Sequence, residues 1–227
     1  MGKMKKILFI SEDAPDKMLL PLGGAYEIRK MPPCPALDRP VACHADMLVG
    51  TYRGKIVLSR PYYEKNRSVF DGTDPIITDK VHGRGYPEDV ILNFIDTDCT
   101  VIGYGKALPG FIDKRVISVK QGYTRCSTLM TKDCAVSADK GILSALESLG
   151  FDTLQIGAGY IDLPGYDCGF IGGASFYDEG AVFFFGDPAL HRDGERIKSF
   201  LSAHGTDCIP LTGGPLTDYG GAVIIKI

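Results

Sequence analysis

Apolar residues along this chain fall into short runs of strand length, each bounded by polar or turn-forming residues, with few of the long three-to-four-residue periodicities that mark helices. The fullest example runs from Cys43 to Tyr52, turns at Arg53-Gly54 and returns through Lys55 to Ser59. A polar pair leads into a strand, a tight turn follows, and an apolar strand comes back. The same outline recurs from Thr124 to Asp139, from Asp167 to Phe185 and from Thr217 to Ile227.

In chain order, the pattern predicts strands over 6–11 and 26–31 flanking a short helical turn at 15–22. A Pro-rich stretch, Pro32 to Pro40, then leads to the hairpin 43–52 and 55–59, a helical segment over 62–69 and a strand over 75–79. Strands over 91–96, 100–104 and 115–120 make a weaker second copy. The third copy has strands over 125–131 and 134–138, a helix capped by Asp139 and stopped by Gly150, and a strand over 153–156. The fourth has strands over 169–176 and 181–185, a helix over 193–204 with Ile197, Phe200 and Leu201 on one face, and a strand over 208–211. The fifth begins at 218–227 and is completed only by the strand, turn and strand at the start of the chain.

Five units of about 40 residues, closed into a ring by pairing the first and last strands, account for this arithmetic and leave few open edges. The fold class expected is therefore α/β (α+β): a five-fold pseudo-symmetric β/α propeller in one domain over 1–227. The alternative is an ordinary α+β sandwich whose hairpins look alike because all hairpins alternate.

Composition narrows the function classes. The 227 residues, 44% of them hydrophobic, suffice for a sizeable core, and a formal net charge of −3 offers no basic field for a phosphate backbone. Nucleic acid is not an expected partner; a small molecule or a protein is. Seven scattered cysteines without a CxxC pair indicate neither a disulfide framework nor a zinc ribbon and fit a cytoplasmic location. The apolar run after the basic start Met1–Lys6 is too short for a signal peptide or a membrane span. Gly103-x-Gly105 and Gly157-x-Gly159 do not extend to a dinucleotide fingerprint, so no cofactor is expected, and without metal-ligand spacing no metal is expected.

The five-fold pattern resembles the pentein fold of the guanidino-group modifying enzymes. More closely, His44-Ala45-Asp46, Lys120 through Cys126, Asp139 through Ile142 and Gly169 through Gly173 are similar to an uncharacterised bacterial family assigned to that fold. The resemblance implies a ligand carrying a guanidino or amidine group. It also meets a departure: the enzymes carry a nucleophilic cysteine near the C-terminus, where this chain reads Thr212 to Ala222 with no cysteine. The fold also hosts a noncatalytic branch, the initiation factor that keeps ribosomal subunits apart, so enzyme and binding module both stay open.

In such a ring the starts of the first strands converge, which brings His44, Asp46, Asn93, Tyr123, Cys126, Asp167 and Asp218 towards one acidic cavity. Asp46, Asp167 and Asp218 are the natural partners of a planar cation, although aspartates at strand ends also cap turns. Strand alternation places His44 and Asp46 on one face, where the imidazole is a candidate base. Cys126, next to Arg125 and near Lys120, is the candidate nucleophile if those cations favour its thiolate, against the alternative of an inert core cysteine. Asn93, Tyr123, Asp167 and Asp218 are the candidate ligand-binding residues. The expected function is binding of a small cationic ligand, with a relocated Cys/His/Asp hydrolase or transferase and a protein-interaction module as alternatives.

Overall fold

Fifteen strands gather into five sheets of three in a computed structural model that describes residues 5–227. Residues 1–4 of the basic start lie outside the described residues. The first sheet joins β15 (Ala222–Lys226), β1 (Lys6–Ser11) and β2 (Glu27–Met31); the second holds β3 (Gly50–Tyr52), β4 (Lys55–Ser59) and β5 (Ile76–Thr78). Next come β6 (Ile95–Asp96), β7 (Thr100–Gly103) and β8 (Arg115–Ser118), then β9 (Thr128–Met130), β10 (Cys134–Ser137) and β11 (Asp152–Gln155). The last contains β12 (Ser175–Asp178), β13 (Ala181–Phe184) and β14 (Asp207–Pro210). Each sheet repeats one plan: an antiparallel partner, a middle strand and a parallel partner.

The first and last strands of the chain pair as expected. β1 runs antiparallel to β15 with Leu8 opposite Ile224, and parallel to β2 with Leu8 opposite Ile28. Strand alternation then buries β1 twice over: Ile7 and Phe9 face Met31, Leu48, Ile56 and Phe70, while Leu8 and Ile10 face Met18, Leu22, Phe176 and Phe185.

Parallel pairing needs a crossover, and helices supply most of them. These are α1 (Asp16–Leu19), α3 (Arg60–Lys65), α4 (Lys140–Glu147) and α5 (Gly194–Ala203), whereas β7 reaches β8 through an irregular segment, 104–114. Asp139 caps α4 by accepting a 2.9 Å bond from the Ile142 N–H, and α4 buries Ile142, Leu143, Ala145 and Leu146. Two hairpins close through consecutive positive-φ residues, Arg53-Gly54 and Glu179-Gly180, the turn whose twist suits paired strands.

One expectation fails in the same way in four units. The first strands are shorter than the apolar pattern predicts, because the chain bends before it extends. Residues 45–48, expected as strand, form a short helix, α2 (Ala45–Leu48), and 124–127 and 171–174 are turns ahead of β9 and β12. The stretch 91–94 likewise precedes a β6 of two residues. Alternation therefore does not relate His44 to Asp46, which sit at the cap and within the first turn of α2.

Phe9 is fully buried on the strand that pairs with both a neighbour and the far end of the chain. Phe9→Ala should lower stability by about 3–5 kcal/mol, the cost of a large core truncation. Removal of the chain through Ser11 should abolish cooperative melting, and an unchanged thermal transition by circular dichroism would contradict the pairing.

Candidate functional site

The bends that shorten the first strands bring polar residues together. Each is closed by its own backbone: the Val49 N–H donates to the Ala45 carbonyl at 2.9 Å, Ser127 to Tyr123 at 2.9 Å, and Ala174 to Phe170 at 3.0 Å. The first strand residue can reinforce the bend from its side chain. Thr128 Oγ1 donates to the Thr124 carbonyl at 2.8 Å and Ser175 Oγ to the Ile171 carbonyl at 2.7 Å.

Asp218 joins the bend before β12 to the segment before β15. Its Oδ2 accepts the Phe170 N–H at 2.8 Å and its Oδ1 the Gly220 N–H at 2.9 Å, while the Tyr219 and Gly221 N–H groups both donate to the Gly173 carbonyl. A Cβ at Gly173 would overlap the Asp218 carboxylate. One at Gly220, which already has a positive φ of 75°, would overlap His44. Glycine at these two positions lets the bends approach closely enough to enclose the pair. His44 Nδ1 lies 3.7 Å from Asp218 Oδ1, with both side chains buried. Burial pushes the Asp218 carboxyl up to about 6; the neighbouring His44 opposes that shift and Asp46 adds to it.

Asn93 ties the second and third bends together. Its Oδ1 accepts the backbone N–H of Arg125 at 2.7 Å and of Cys126 at 3.3 Å; its Nδ2 donates to the Asp46 carbonyl at 3.1 Å and the Cys126 sulfur at 2.8 Å. Arg125 holds two further carbonyls, Val49 through Nη1 at 2.9 Å and Ala222 through Nη2 at 3.2 Å. Burial lowers the pKa of this guanidinium. Cys126 does not become a thiolate beside it: burial pushes the thiol well above its usual value, Asp46 and Asp218 push it further, and only the Asn93 bond opposes. Lys120, the other cation expected to favour the thiolate, is exposed to solvent.

Asp46 differs from the rest. It is 2% exposed, and neither carboxylate oxygen receives an N–H or O–H bond; the neutral Cys126 thiol beside it is only a weak donor. It lines a cavity of about 270 Å³ to which one strand of every sheet contributes, through Thr51, Asp96, Met130, Tyr177 and Ile224 among others. Arg125 lines the same cavity, so the surface it retains faces inward.

Of the seven residues expected to converge, His44, Asp46, Asn93, Cys126 and Asp218 are buried together in these bends. Asp46 alone of the five lines the cavity; the other four pack around the bends that form its end. Tyr123 faces a different hollow, where its hydroxyl donates to Asp89. Asp167 is exposed and joins neither, because the loop before Gly169 carries it outward. Sequence reasoning gave Arg125 only an electrostatic part beside Cys126 and missed Asp89 and His82. Arg125 occupies the same bend as Cys126, which was the available signal. Among the described residues, Asp133, Cys134 and His204 form a grouping whose geometry could hold a metal ion; Cys134 there is buried and already paired with the Thr131 hydroxyl.

The sequence model of a family of unknown function, DUF6873, matches residues 9–223. The chain belongs to that family. No curated protein matches it. The match spans these bends and the segment before β15, so the Asp46 and Asp218 clusters both lie within the DUF6873 region. No helix among the described residues is long and apolar enough to cross a membrane.

Two buried groups give stability opposite pH dependences. His82 bonds through Nε2 to the Met47 carbonyl at 2.9 Å and through Nδ1 to the Ser59 hydroxyl at 3.3 Å, and burial lowers its pKa below 6.5. Below 6.5 the unfolded chain binds a proton that the folded chain refuses, so stability falls as pH falls through that window, by at most about 1.4 kcal/mol per pH unit. Asp218 acts the other way: its protonated form contributes stability that is complete below 3.8 and is lost as pH rises through about 6. His82→Gln keeps a donor for Met47 and an acceptor for Ser59. Its denaturation free energy should therefore diverge from wild type below pH 6.5, with a shallower acid slope; parallel curves would place the proton uptake elsewhere. Iodoacetamide should modify exposed Cys99 well before Cys126, which should label only on unfolding, as read by peptide mass mapping.

Proposed function

We propose that this protein is a pentein-like ring that binds a small ligand bearing a guanidino or amidine group in the cavity shared by its five sheets. The observation that carries the reading is Asp46: the residue lines the cavity, and its two buried oxygens receive no N–H or O–H bond. A buried carboxylate without donors is costly, and a planar cation that presents two parallel N–H groups satisfies both oxygens at once. Arg125 is close enough to be favoured electrostatically by Asp46, but its guanidinium makes no hydrogen bond to that carboxylate and is turned to the Val49 and Ala222 carbonyls. The uniform plan of the five sheets and the pairing of β1 with β15 support the ring.

Binding without covalent chemistry is favoured over hydrolysis or transfer at a guanidino carbon. A thiolate nucleophile needs a depressed pKa, and Cys126 has the reverse. His44 faces Asp218, and among the described residues its imidazole is paired with that carboxylate.

Agmatine, arginine and benzamidine form the screening set, read by thermal shift and calorimetry. At least one should raise the melting temperature of the wild type at millimolar concentration through linkage. Asp46→Asn should abolish that response while itself melting higher than the unliganded wild type, because removing an unsatisfied buried charge relieves about 1–3 kcal/mol. If no guanidino or amidine compound shifts the wild type, the acid serves structure alone and the reading fails.

A further inference from the structure

A second buried carboxylate has one oxygen to spare, and it lies in a different hollow. Asp89 is 8% exposed; its Oδ2 accepts the Tyr123 hydroxyl, and its Oδ1 has no partner. The hollow it lines measures about 480 Å³ and is walled by three tyrosines, Tyr86, Tyr123 and Tyr166. None of its lining residues belongs to the Asp46 cavity.

The tyrosines are held in place. Tyr123 stacks on Phe170 with ring centroids 5.9 Å apart, and Tyr86 lies 6.3 Å from Tyr123. Tyr86 also packs over Gly122, where any Cβ would strike its ring, and donates its hydroxyl to the Lys120 carbonyl at 3.2 Å. The Tyr166 hydroxyl donates to Asp38 at 2.9 Å. Burial and then Asp89 raise the Tyr123 pKa, so its hydroxyl stays protonated and keeps Oδ2 occupied.

A free carboxylate oxygen among aromatic faces attracts a cation, and the number of free oxygens selects which one. A guanidinium binds best to two parallel acceptors, whereas an ammonium is a compact charge that one oxygen and nearby π faces can hold. A quaternary ammonium has no N–H for Oδ1 and leaves that atom unsatisfied. We propose that the hollow around Asp89 is a binding site for a small primary alkylammonium compound, separate from the Asp46 cavity. Arg84, exposed and without an ion pair among the described residues, stands at its rim with Arg39, which is paired to Asp13. Asp38 also lines the hollow and Arg39 is neutralised by Asp13, so it is Arg84 that favours an amine whose far end is acidic over a diamine.

The test is calorimetric titration of the full chain with butylamine, γ-aminobutyrate, tetramethylammonium and guanidinium. Butylamine and γ-aminobutyrate should bind at millimolar concentration or better, γ-aminobutyrate at least as tightly, and tetramethylammonium should be weaker by about tenfold or more for want of an N–H. Asp89→Asn should lose amine binding, while Asp46→Asn should keep it. Loss in Asp46→Asn with retention in Asp89→Asn would move the amine to the shared cavity and overturn this proposal without touching the guanidino reading. Failure of both amines to bind wild type overturns it as well, as does equal binding of tetramethylammonium. If Asp89→Asn does not fold, Tyr123→Phe serves instead. By freeing Oδ2 it should improve guanidinium binding relative to butylamine, and an unchanged ratio would refute the one-oxygen argument.

Discussion

The bends and the segment before β15 meet at the end of the cavity that all five sheets line, and the buried polar groups they carry must satisfy one another there. That requirement shapes the interior more than any single apolar contact. Asp218 takes two backbone N–H groups, Asn93 takes two more and Arg125 takes two carbonyls, so three side chains hold segments far apart in sequence. A buried amide or carbonyl left without a partner costs about 1–3 kcal/mol, comparable with a large part of a domain's net stability. Each of the three is therefore a structural element before it is a candidate for chemistry. The glycines at 173 and 220 belong to the same constraint, since any side chain there would force apart the groups that bond.

The repeat was legible in the sequence because turn chemistry and short apolar runs are local signals. Arg53-Gly54, Glu179-Gly180, Asp139 and Gly150 sit where those signals place them, and so does the pairing of the first strand with the last. The bends were not legible. Residues such as Met47, Leu48 and Val49, or Val90, Ile91 and Leu92, are apolar because they are buried, and an apolar run reads as strand whether the chain extends or coils. Tertiary contacts then decide: the Asp46 N–H donates to the Gly220 carbonyl, a bond between segments far apart in sequence that no local pattern reports.

The same limit explains the candidate residues. His44, Asp46, Asn93, Cys126 and Asp218 were found because the repeat placed them at equivalent points, and equivalence survives an error in local conformation. Asp167 was misplaced because its loop carries it clear of the bend that begins at Gly169. Cys126 was found, but its electrostatics were misjudged. Adjacent Arg125 suggested an activating cation, whereas desolvation and two nearby carboxylates dominate and hold the thiol neutral. Charge adjacency in sequence is a poor guide where burial sets the larger effect.

Asp46, Asp89 and Asp218 are all buried aspartates, and their hydrogen bonds separate their roles. Asp218 has a backbone donor on each oxygen, and that suits a clamp. Asp89 has a phenol on one oxygen and nothing on the other; Asp46 has nothing on either. An unsatisfied buried carboxylate adds nothing to the stability of a fold, which is why the two incomplete acids, and not Asp218, carry the binding proposals. The count of open oxygens then carries over into ligand chemistry: two call for a planar fork of N–H groups, one for a single ammonium. On that reasoning Asp218, one of the acids the sequence offered for ligand binding, is the one least free to bind.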